Sequence, residues 1–156
     1  MIQGEYIIWR CAAVENFWNN THPSSLSSDI AVFLESKFSD AAFYPEKTER
    51  HSSAVCIFQK PERKSERFLD GKVRETYIFT LLSPYAGEDR KASDAVFWLL
   101  EKSLELCEKA TSFSFSKSGI KFLYFERETN PSKAFRTNMG DDFYSAELKL
   151  VVERQG

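Results

Sequence analysis

Residue types that usually carry chemistry are scarce in this chain. It has two histidines and three cysteines among 156 residues. His22 and His51 both sit in polar, turn-like segments, and neither has a partner at HxxxH or HExxH spacing, which argues against a metal site. Cys11, Cys56 and Cys107 lie far apart in apolar runs with no CxxC, the pattern of buried free thiols in a reducing compartment. A dyad of Cys56 with His51 is disfavoured: they are five residues apart on an incoming strand and need not face one another. No GxSxG surrounds a serine, and the six scattered glycines form neither GxGxxG nor a phosphate-binding loop. Charge of one sign is missing too. Twenty-one basic residues meet 23 acidic ones, for a net charge of -2, unlike a dedicated nucleic-acid binder. The N-terminus lacks a basic start and a long apolar run, so no secretory leader is expected, and the Asn19-Asn20-Thr21 sequon reads as chance. No apolar stretch reaches the roughly 20 residues that span a bilayer. The acid pairs have structural readings: Glu88-Asp89 suits a helix N-terminus and Asp141-Asp142 a turn before a strand. The expectation is therefore no catalytic residue, no cofactor and no metal.

Apolar area is ample. The apolar fraction is 42%, 15% of residues are aromatic, and phenylalanine occurs 14 times. One domain with a real core fits this length. Ile7, Cys11, Val14 and Trp18 stand at helical spacing within residues 5–18. A second helix is expected after a cap at Ser27 or Ser28, with Ile30, Phe33, Leu34 and Phe38 as its buried stripe and Pro45 ending any helical tendency. Residues 54–59 form a strand, 60–72 a polar connection, and 74–82 a second strand buried on both sides. Residues 88–110 give the best helix, with Val96, Leu99, Leu100, Ser103, Leu104 and Cys107 on one face. A strand over 120–127, a long loop over 128–142 and a closing strand follow. In that last strand Tyr144, Ala146, Leu148, Leu150 and Val152 share one face. The expected fold is a single α+β domain with an N-terminal helical extension over 1–27 and a core over 28–154. In that core a four-stranded, mainly antiparallel sheet carries two to three helices on one face.

Two segments exceed what a monomer needs, and one helix residue stands off its stripe. Residues 60–67 read KPERKSER: either a solvated hairpin tip, or a protruding arm whose Arg63, Lys64 and Arg67 pair with acidic surface on a neighbour. Trp98 lies off the main stripe of its helix and marks a second contact surface. Phe135, Arg136 and Met139 put residue types enriched in interfaces on a long loop.

A strand pair whose link reads RFLDGKVRETYIFTLL, a helix ASDAVFWLLEKSLELC and a closing DFYSAELKLVVER resemble the tail terminator and minor-capsid (neck) proteins of long-tailed phages. Gly71, Tyr77, Phe79, Leu81, Asp94, Leu99, Leu100, Tyr144, Ala146, Leu148 and Val152 fit that outline over residues 28–154. Residues 1–27 depart from it. The resemblance implies a structural virion protein in the tail or neck, assembled in the host cytoplasm. It would form a ring, commonly a hexamer, that ends tail-tube growth and docks to the head connector. Its partners would be its own copies, the tail tube protein and the head–tail connector or head-closure protein. DNA would pass through the lumen without sequence-specific binding, and no membrane is involved. A connector or head-closure protein is the nearest alternative. A small α+β enzyme or ligand-binding domain and a host-side regulatory domain come from other classes.

Overall fold

The structure is a computed structural model that describes residues 25–49, 53–86, 90–136 and 141–155. The expected helix over 5–18, and with it Cys11, His22, His51, Glu88, Asp89 and Met139, lies outside the described residues. Two helices and five strands follow one another as α1 (Leu26–Glu35), β1 (Ala42–Pro45), β2 (Ala54–Arg67), β3 (Lys72–Ala86), α2 (Arg90–Glu108), β4 (Ile120–Arg136) and β5 (Asp141–Gln155). The α+β expectation holds. The sheet has five strands rather than four, in the order β1-β2-β3-β5-β4, and is mixed. β1 runs parallel to β2, and every other pair is antiparallel.

The additional strand β1 has four residues, too few for any periodicity to register, and its last residue is Pro45. The cap of α1 is Ser25, not Ser27 or Ser28. Its extended backbone lets Oγ accept from the Ser28 amide at 3.1 Å, while Asp29 occupies the first turn. Ile30, Ala31 and Leu34 are the helix's buried apolar residues; Phe33, in the helix, and Phe38, beyond its end, are partly covered.

Two expected loops are strands. β2 continues through 60–67, and β4 continues through 128–136. Proline and charge suggested breaks, but both segments lie at sheet edges, where a missing ladder donor costs little. Pro61 falls inside the register shift between Gln59 and Arg63, and Pro131 inside that between Thr129 and Ser132. The β2–β3 tip shrinks to Phe68–Gly71. There the Gly71 amide donates to the Phe68 carbonyl at 3.0 Å and the Phe68 amide to the Lys72 carbonyl at 2.9 Å. Gly71 takes φ 88°, a left-handed backbone that side chains with a Cβ rarely adopt.

Both helices pack on one sheet face. Ile30 and Leu34 of α1 and Leu100, Leu104 and Cys107 of α2 meet Val55, Ile57, Phe79, Leu81, Ala146, Leu148, Leu150 and Val152. The alternation of β5 is thus its core face, and Tyr144 joins it partly buried. Phe113, Phe122 and Phe125 close the β4 side, with Phe113 and Phe125 edge to face at 5.1 Å. The opposite face is apolar at one end, where Cys56, Leu82 and Phe143 are buried. β3 is accordingly buried on both sides at Leu81 and Leu82. Farther along, that face carries ion pairs, Lys60 with Glu147 and Lys149 with Glu126.

Candidate functional site

The expected arm is not a free hairpin. β3 pairs with β2 on one side and with β5 on the other, rung by rung as far as Lys72 opposite Gln155. β4 joins β5 at Ile120 opposite Arg154. Four strands therefore reach almost the same end, and the turn Phe68–Gly71 lies beyond the last rung of β2 and β3. The outer half of β2 is a sheet edge, because β1 covers only Ala54–Ile57. Arg63, Lys64 and Arg67 lie along it and are exposed.

Arg63 has an inward partner. Glu75 is only 2% exposed, on the same face of β3 as Tyr77. Its carboxylate accepts from Arg154 Nε and from the Tyr77 hydroxyl at 2.9 Å, and Arg63 Nη1 stands 3.3 Å away. Burial alone would push this carboxyl up. The hydrogen bonds from Arg154 and Tyr77 and the charges of Arg154 and Arg63 outweigh it and hold the group below its ordinary value. Burial, followed by the bond to Glu75, raises the Tyr77 phenol. Glu75 thus clasps β2, β3 and β5 together where the hydrophobic core gives out. An acid in the inward register of Val73, Tyr77, Phe79 and Leu81 was the available sequence signal.

Beside this clasp a cavity of about 220 Å³ opens between α1, the segment before β4 and the edge of β2, lined by Asp29, Gln59, Arg63, Tyr77, Lys117 and Ile120 among others. Asp29 accepts from the Ser116 amide at 3.2 Å across its mouth. The volume falls below the roughly 300–1,000 Å³ of ordinary small-molecule pockets.

The turn beyond the clasp carries a feature with no local signal in the sequence. Leu69 is fully exposed and Phe68 partly so, with the Arg74 guanidinium 5.1 Å from the Phe68 ring. The Asp70-Gly71 turn was legible; that its two preceding apolar side chains point to solvent was not.

Trp98 is 64% exposed on α2. Its ring meets Phe97 edge to face at 5.4 Å, and Phe97 in turn meets Tyr144 at 6.0 Å. Ser93 and Tyr144 are hydrogen-bonded at 3.0 Å. These contacts place this part of α2 over the end of the sheet where Tyr144 pairs with Ser83. Arg127 fixes the far flank of the helix, reaching Glu101 at 2.7 Å and Glu108 at 3.0 Å. Phe135 and Arg136 belong to β4, opposite Phe143 and Asp142, rather than to a loop. Asp142 is a buried strand residue rather than a turn acid. The predicted contact residues thus divide between the tip end of the sheet (Arg63, Lys64, Arg67) and its other end (Trp98, Phe135, Arg136).

Cys56 and Cys107 are buried free thiols, pushed by burial up to about 11 and about 12. Among the described residues no group of three or more His, Cys, Asp or Glu side chains is arranged to hold a metal ion, and no helix is long and apolar enough to cross a membrane. No protein-family model matches the chain, and no curated protein matches it significantly.

Proposed function

We propose that this protein is an assembly subunit that binds copies of itself and structural neighbours, in the manner of the phage tail terminator and neck proteins that its sequence resembles. The observation that carries the reading is the exposure of large apolar side chains at separate places on the surface, Leu69 at the tip and Trp98 on α2, with Val32 and Tyr124 exposed besides. Tryptophan, phenylalanine and arginine are enriched at protein contact surfaces. In this reading the subunits form a ring that stops the tail tube and offers its other face to the head connector, and DNA slides through a lumen of mixed charge.

Light scattering tests it. The expected result is a closed oligomer, either alone or on mixing with tail-tube protein, and tubes of limited length in its presence. A chain that stays monomeric under both conditions sinks the reading. Binding to a portal-side protein but not to tube ends would move the assignment to a connector. Reversal of Lys64 and Arg67 is a cleaner probe than reversal of Arg63, because Arg63 also serves the Glu75 clasp.

A further inference from the structure

We propose that residues 5–18 of the same chain dock on the outer face of the sheet, the face turned away from α1 and α2. Three side chains on that face are closed to water: Leu82 is 8% exposed, Phe143 1% and Val151 2%. Val151 alternates with Leu150 and Val152 of the helix-side core and belongs to neither buried cluster. Its rung partners are Thr76 and Tyr124, and Tyr124 is 45% exposed. A valine standing upright between such neighbours on a bare sheet keeps an open top. It therefore has a cover, yet among the described residues both helices lie on the other face. The connection before β2 accounts for one end only, where the Glu49 amide donates to Cys56 Sγ at 3.2 Å. Phe143 and Val151 are eight residues apart on β5, about 27 Å. Links of three or four residues, such as 87–89 and 137–140, reach at most about 14 Å.

Residues 5–18 fit the gap. They carry Ile7, Cys11, Val14 and Trp18 at helical spacing, with only Glu5, Arg10 and Glu15 as charges. A helix of that length measures about 21 Å. The charges between Phe143 and Val151 are already paired, Lys60 with Glu147 and Lys149 with Glu126, so a cover leaves none of them uncompensated. The route is short. Ser25 and Leu26, where α1 begins, line a cavity with Gln59 and Arg63 on the edge of β2 that β1 leaves open. Residues 19–24 span at most about 20 Å. That rounds a single edge strand, because layers pack about 10 Å from a sheet. The shortness of this link makes the chain's own segment, rather than a neighbour's, the occupant. The docked segment closes the outer face to partners, whether or not the chain assembles.

Photo-cross-linking in the full chain tests the docking. Benzoylphenylalanine is placed at Val14, and isotope-labelled and unlabelled chains are mixed before irradiation. The expected adducts join position 14 to peptides containing residues 76–82 or 145–151 of the same chain. Adducts on the helices, or adducts between labelled and unlabelled chains, overturn the proposal. Thiol labelling gives a second readout. Val151→Cys is expected to react slowly, and about tenfold faster or more once Val14→Asp and Trp18→Asp are added. The buried Cys107 of the helix-side core is expected to stay closed throughout. Unchanged labelling at position 151 overturns the proposal as well. If Cys107 opens too, the variant has unfolded and the cross-link decides.

Discussion

The two halves of the β2–β3 pair share one continuous backbone ladder and are held in place by different physics. At one end, Val55 and Ile57 share a core with Leu81 and Phe79 beneath two helices, while the paired Cys56 and Leu82 are buried on the reverse face. At the other end, the side chains of Glu62–Arg67 lie in solvent, and the strand persists there without a buried side chain of its own. Its hold comes from the ladder to β3, from a turn that Gly71 makes possible, and from one buried carboxylate. Extended structure at the tip end is thus a consequence of neighbours. The core end is one that hydrophobic burial alone would favour.

Substitutions that act on one half and spare the other sharpen this contrast. Phe79→Ala removes a fully buried ring from the core end. It is expected to lower unfolding free energy by about 3–5 kcal/mol in chemical denaturation. Glu75→Gln strips the clasp of its charge and is expected to cost about 1–3 kcal/mol. Its effect depends on pH with a definite sign. The folded carboxyl sits below its ordinary 4.5, so its contribution is complete above that pH and fades as pH falls through the lower folded value. Wild type should therefore lose stability in that acid window faster than Glu75→Gln; parallel losses would show that the clasp contributes nothing. Gly71→Ala meets no crowding, yet it forces a Cβ into the left-handed region. About 1 kcal/mol is expected, together with faster amide exchange in the tip rungs. Lys64→Glu with Arg67→Glu should leave stability within about 0.5 kcal/mol. Any larger loss would mean that the outer edge of β2 carries weight in folding and not only in contact.

The strands legible in the sequence are those with a buried face. Tyr144 to Val152, Tyr77 to Leu81 and the stripe of α2 were evident because alternation or 3.6-residue spacing records burial directly. The outer parts of β2 and β4 look like loops in the sequence because their prolines and charges record an edge, and edge chemistry looks like turn chemistry in a linear chain. Of the contact surface, Trp98 was legible as an aromatic off its helix stripe, and the basic residues as a cluster. Leu69 was hidden because nothing local distinguishes an apolar residue in a tight turn from one at the end of a buried strand.

Local order decided the class of this protein: where apolar residues recur, which period they keep and where serine can cap a helix are fixed by neighbours within a few positions. Tertiary structure decided the rest. That a parallel strand joins the sheet at Ala42–Pro45, that Glu75 meets Arg63 and Arg154, and that Leu69 and Trp98 stand at separate places on the surface all depend on strand order. Strand order is set by which faces bury together across dozens of residues, and no short window of sequence contains that information.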